Sequence, residues 1–132
     1  MNFTINTVPP ALNSMYRQFK GRIILSESAR NFKILVKKQI PQMVIENLEL
    51  NHDYYEVKIE FVMPNLYRKK DGKISRKSGD LDNMCKSLID VIFTQAKMDD
   101  SKITSLLVKK TYGESEKTNI SICGHFFNMP RV

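Results

Sequence analysis

Asp80, Asp82, Lys86 and Asp90 stand in one short run, Asp80-Leu81-Asp82-Asn83-Met84-Cys85-Lys86-Ser87-Leu88-Ile89-Asp90, and Asp99-Asp100 follows shortly after it. Carboxylates gathered this way suit a hard divalent cation. Mg²⁺ prefers oxygen ligands, needs only one or two carboxylates and keeps several waters. Such an ion generates a hydroxide nucleophile and steadies the leaving oxygen of an in-line displacement at phosphorus. A neighbouring lysine can offset transition-state charge or orient the attacking water. No covalent nucleophile is required.

The elements that position these groups follow from periodicity. At about 100° per residue, Leu81, Cys85, Leu88 and Ile92 cluster on one side of a helix over roughly Leu81 to Ala96, flanked by Met84 and Ile89. Asp82, Lys86 and Asp90, each four residues from the last, form a ridge beside that stripe. A short return from the helix into the next strand can bring Asp99-Asp100 back toward the ridge, and Asn83 is available to a ligand or a water. The expectation is therefore that folding draws Asp80, Asp82 and Asp100 close enough to share an ion. A plain structural reading stands beside this one. Asp80 can serve as an N-cap, Asp82 can favour the positive end of the helix dipole, and Asp82 with Lys86 can form an ordinary i,i+4 pair.

Ahead of the helix, Arg68-Lys69-Lys70-Asp71-Gly72-Lys73-Ile74-Ser75-Arg76-Lys77 carries six basic residues and one acid. A run like this is commonly a mobile solvated loop. Beside an acid cluster it can also neutralise phosphates and bring one to the metal. The 132-residue chain has a formal net charge of +7, which favours polyanionic partners, nucleic acid before membrane surface. No apolar run is long enough to span a bilayer, and Met1-Asn2-Phe3-Thr4-Ile5 does not read as a signal peptide, so a cytoplasmic location is expected. Cys85 and Cys123 read as small buried residues, and His52 and His125 form no ligand pattern. A zinc site or a catalytic triad is poorly supported.

Elsewhere, Asn2 to Asn6 and Arg22 to Ser26 read as short strands, with the Val8–Asn13 loop between them. A helix follows, capped by Ser26 or Ser28, with Phe32, Leu35, Val36, Ile40, Met43 and Val44 at helical spacing and Pro41 kinking or dividing it. Tyr54 to Met63 alternates as a strand before the acid helix. Ile103 to Tyr112 and Thr118 to Phe127 read as two more, the latter with Ile120, Ile122 and Phe126 on one face, and their short link predicts that they pair antiparallel. The expected fold is a single α/β (α+β) domain, one mixed β-sheet with packed helices, in the order β-β-α-β-α-β-β.

The pattern Asp80-x-Asp82-Asn83-x-x-Lys86-x-x-x-Asp90 with the later Asp99-Asp100 resembles the RusA-type Holliday junction resolvases. More weakly, so do the Pro9-Pro10-Ala11-Leu12-Asn13 loop and the Tyr55–Met63 strand. The resemblance implies a Mg²⁺-dependent endodeoxyribonuclease, with Mn²⁺ able to substitute, that acts as a homodimer and resolves four-way DNA junctions by paired nicks in recombination and repair. It matches the essential carboxylates to Asp80, Asp82 and Asp100 and the essential lysine to Lys86. Asp90 and Asp99 match acidic family positions in supporting roles, Asp90 by orienting Lys86 if not as a ligand. Arg68, Lys69, Lys70, Lys73, Arg76 and Lys77 then become the DNA-binding residues. The family's corresponding loop can carry aromatics that wedge at the junction centre, whereas here its only aromatic is Tyr67. A non-catalytic nucleic-acid-binding module is the alternative. A phosphoesterase acting on small molecules fits the basic loop less well.

Overall fold

The computed structural model describes residues 1–10 and 16–127. A four-stranded mixed sheet is built from β1 (Asn2–Ile5), β4 (Tyr54–Met63), β5 (Ile103–Tyr112) and β6 (Lys117–His125), in the order β1-β6-β4-β5. Helices α1 (Glu27–Gln39), α2 (Gln42–Glu49) and α3 (Leu81–Gln95) supply the residues packed on it. The observed order is β-β-β-α-α-β-α-β-β, close to the expected one.

β4 organises the molecule. Its alternation puts Tyr55, Val57, Ile59, Phe61 and Met63 into the core while Glu56 and Lys58 stay exposed. Against the inner face pack Phe32 and Val36 of α1, Val44 and Leu48 of α2, and Met84, Leu88 and Ile92 of α3. Ser26 caps α1 by accepting the Ala29 N–H, and Pro41 ends that helical run and caps α2. The helical spacing overreached at two positions: Leu35 is exposed because it lies off the Ala29, Phe32 and Val36 stripe that α1 buries, and Met43 because α2 starts anew after Pro41 and buries Val44, Ile45 and Leu48 instead.

Three further expectations are corrected. β2 (Tyr16–Phe19) went unread. It pairs with β3 (Arg22–Leu25) through a tight turn in which Lys20 and Gly21 both have positive φ, a shape matched to the twist of a two-residue hairpin. The last two strands do not pair with each other. β4 lies between them, parallel to β5 and antiparallel to β6. The short link instead crosses the end of β4, where the Gly113 N–H donates to Met63 O at 3.3 Å and a Cβ on Gly113 would sit 2.3 Å from Val62 Cγ1. Finally, Ile120 and Ile122 are buried, but β6 ends at His125 and Phe126 is exposed. Ala11, Leu12 and Asn13 of the early loop lie outside the described residues.

Candidate active site

α3 is the helix the spacing predicts. Met84, Cys85, Leu88, Ile89 and Ile92 are buried, while Asp82, Lys86 and Asp90 are exposed along one ridge. Burial pushes the Cys85 thiol up to about 11, which leaves it an inert core group. Cys123 is exposed rather than buried. Asp80 occupies the N-cap position of α3 yet makes no side-chain capping bond, so its carboxylate is not spent on the helix. Nor do the plain ion pairs form. Among the described residues, no carboxylate lies within 4.0 Å of Lys86, and Asp80, Asp82, Asp90 and Asp100 are likewise unpaired. This row of charged side chains on a folded surface contributes no local pairing that would account for it.

A groove between α3 and the outer edge of β5 collects part of the set. Asp82, Lys86, Asp90 and Asp100 line it, with Leu81, Cys85, Ile89 and residues 103–108 as its largely apolar remainder. Asp80, Asp99 and the half-buried Asn83 do not line it. Asp99 has a separate task. It caps the turn Asp100–Lys102 by accepting the Ser101 N–H at 2.9 Å, and that bond holds its carboxyl below the ordinary carboxylate range.

The return after α3 does not close on the start of the helix as expected. A helix joining two parallel neighbouring strands must run against them. The first turn of α3 therefore lies near the C-terminal end of β5, where Lys110 Nζ donates to Gly79 O at 2.8 Å and to Ser78 Oγ at 2.9 Å. Asp100 lies at the other end, beside Lys102, whose Nζ donates to His52 O at 3.2 Å just ahead of β4. At about 3.3 Å per residue, the seven steps from Ile103 to Lys110 separate the two ends by about 23 Å. Accordingly, no group of three or more His, Cys, Asp or Glu side chains among the described residues is placed to hold one ion. The donor chemistry still suits Mg²⁺, since hard, exposed, unpaired carboxylate oxygens are what one- or two-carboxylate coordination requires.

The basic segment is folded rather than free. The Arg68 N–H donates to Lys73 O at 2.7 Å and the Ser75 N–H to Leu66 O at 2.8 Å, while the Arg68 side chain pairs with Asp71. Lys69, Lys70, Lys73, Arg76 and Lys77 are exposed. Tyr67 stands with Tyr112 across it, ring centroids 6.4 Å apart, a pairing with a strand residue that the sequence did not flag. Gly79 then turns the chain into α3 at φ 86° and ψ 166°, a shape essentially restricted to glycine.

A family model for endodeoxyribonuclease RusA matches residues 7–123, nearly the whole chain. The chain belongs to the RusA endodeoxyribonuclease family. A comparison with curated proteins gives no significant match. Membership makes the protein a nuclease of the Holliday junction-resolving class, and the acid helix, the groove and the basic loop lie wholly within the RusA match. No described helix is long and apolar enough to cross a membrane.

Proposed function

We propose that this RusA-family protein is a Mg²⁺-dependent endodeoxyribonuclease, with Mn²⁺ able to substitute, that resolves four-way DNA junctions by paired nicks, acting in the cytoplasm as a homodimer in recombination and repair. What most supports the reading is the row of exposed, unpaired Asp82, Lys86 and Asp90 with Asp100 in one groove of a chain that the family model covers. Asp80, Asp82 and Asp100 are the proposed ligands, and because one chain holds Asp100 at the far end of β5, the Asp100 that joins Asp80 and Asp82 would come from the second copy of the homodimer. A bound divalent ion would supply a hydroxide nucleophile and charge neutralisation at the leaving oxygen. Lys86, unpaired and on the same ridge, places positive charge beside the phosphate under attack. Asp90, one turn further along the ridge, makes no ion pair with Lys86 and keeps a supporting role as a further carboxylate of the groove. Asp99 supports the site by capping the turn that presents Asp100. Arg68, Lys69, Lys70, Lys73, Arg76 and Lys77 hold DNA through its phosphates, with Arg68 contributing least because Asp71 already pairs with it. A two-fold dimer would present equivalent sites to the opposed strands of a junction.

The test is a nicking assay on synthetic four-way, three-way and linear duplexes with and without Mg²⁺. Metal-dependent cuts confined to branched substrates, lost in Asp82→Asn while junction binding persists, are expected. Junction binding by the wild type with no nicking in Mg²⁺ or Mn²⁺ would instead make the protein a binding module.

A further inference from the structure

Lys110 stands where a lysine is not expected. It is in register with the buried Phe61 of β4, so it projects from β5 toward the helix layer, a strand position that is ordinarily apolar. It is half-buried, and among the described residues no carboxylate lies within 4.0 Å of its ammonium. The ammonium also sits where the chain enters α3, at the positive end of the helix dipole, which disfavours a cation. Neither an ion pair nor the dipole accounts for the placement.

What the ammonium holds is the chain that leads into the acid helix. Nζ donates to Gly79 O at 2.8 Å and to Ser78 Oγ at 2.9 Å. Ser78 is buried, and its hydroxyl donates to Ser75 O at 2.6 Å, which leaves its oxygen oriented to accept from the lysine. Ser75 in turn caps the turn Arg76–Ser78 by accepting the Lys77 N–H at 3.2 Å. The Gly79 carbonyl lies just outside the helical ladder, whose first bond runs from the Met84 N–H to Asp80 O at 3.0 Å, and Lys110 supplies its donor.

Asp80 is the next residue. Its side chain makes no capping bond, so the backbone on either side sets the direction of its carboxylate. The packed helix fixes the following side. The preceding side is a glycine, the residue with the widest choice of backbone conformation, and the lysine grips the chain there. We propose that Lys110 is a positioning residue of the nuclease centre, which pins Ser78 and Gly79 to β5 and so orients Asp80 beside Asp82 for a divalent ion. This assignment rests on the nuclease reading and adds to it a residue that the acid motif does not contain.

The sign of one effect separates positioning from charge. Removing a cation near a divalent ion would by itself tighten binding of that ion. Lys110→Met, which keeps an apolar stem and loses the anchor, should instead weaken Mn²⁺ binding measured by calorimetry by about 10-fold, the low end of what loss of a group supporting a metal ligand costs. The Mg²⁺ concentration for half-maximal nicking of four-way junctions should rise in parallel, with metal-free junction affinity unchanged. Ser78→Ala keeps the charge and removes one acceptor. It should shift both constants in the same direction by less, and add nothing in the Lys110→Met background. A Lys110→Met protein that binds Mn²⁺ as tightly as wild type or more tightly would overturn the positioning role, and so would a lowered urea midpoint with both metal constants unchanged. If circular dichroism shows Lys110→Met unfolded, a folded Ser78→Ala with the wild-type Mn²⁺ constant overturns the role by itself. Wild-type protein that nicks junctions in neither metal would overturn the nuclease reading and this assignment with it, whereas wild-type nicking beside an unaltered Lys110→Met would remove the assignment alone.

Discussion

Replacing Asp82 with asparagine should leave the fold nearly untouched and remove the activity. Asp82 is exposed in the first turn of α3, where a negative charge interacts favourably with the helix dipole, an effect typically worth about 0.3–1 kcal/mol. Asp82 has no ion pair to forfeit, and losing its residual attraction to the i,i+4 neighbour Lys86 adds at most a few tenths of a kcal/mol. The net change should stay under about 1 kcal/mol, or about 4 °C in Tm for a domain of this size. Mg²⁺ at ten times its Kd should raise wild-type stability by about 1.4 kcal/mol, and most of that increment should vanish in the variant. Nicking should fall on the order of 10²–10³-fold, as when one group stabilising transition-state charge is deleted. The assay is a pair of thermal melts with and without Mg²⁺ at fixed protein concentration, run beside junction cleavage. A variant destabilised by more than about 2 kcal/mol without metal would mark Asp82 as structural. One that kept its Mg²⁺-dependent rise in Tm would remove it from the ligand set.

Other consequences are simpler to check. Replacing Lys69, Lys70, Arg76 and Lys77 with glutamine should weaken junction binding and shallow its salt dependence by about 0.9 log units for each phosphate no longer neutralised, read from binding isotherms across a salt series; an unchanged slope would place the DNA elsewhere. Gly113→Ala drives a Cβ to within 2.3 Å of Val62 Cγ1, so its urea midpoint should drop by the equivalent of about 1–3 kcal/mol with an unchanged m-value. At pH 8 the folded protein should take up one equivalent of iodoacetamide, at the exposed Cys123, with Cys85 reacting only after denaturation because it is buried and its thiol titrates near 11. Acidification should weaken the bond to the Ser101 N–H in the Asp99 cap. The lowered pKa means its contribution is complete above the ordinary carboxylate range and is lost as pH falls through the folded value, which a titration of the Ser101 amide shift would follow.

What the sequence made legible were the elements with strong periodicity. β4 alternates so regularly, and α3 carries so clear an apolar stripe, that the first was found at its observed bounds and the second to within one residue of them, and Pro41 divided the helices where proline chemistry requires. The β2 strand was invisible because its turn, Lys20-Gly21, lacks the usual asparagine or aspartate signal. Strand neighbours were misjudged because a short link normally means a hairpin, and only the close approach of Gly113 to Val62 permits it to cross β4. In the candidate site, the residue types and the ridge of α3 could be read directly. The position of Asp100 could not, because it depends on β5 running parallel to β4, a pairing that no local pattern records.

The shared-ion claim is tested most directly by adding Mn²⁺ at substoichiometric levels and following amide line broadening by NMR. Broadening of Asp80–Lys86 together with Asp99–Ile103, with Asn2–Ile5 on the far edge of the sheet unaffected, is the expected pattern. Broadening of only one of those two segments, or its concentration elsewhere on the surface, would contradict a centre built from Asp80, Asp82 and Asp100.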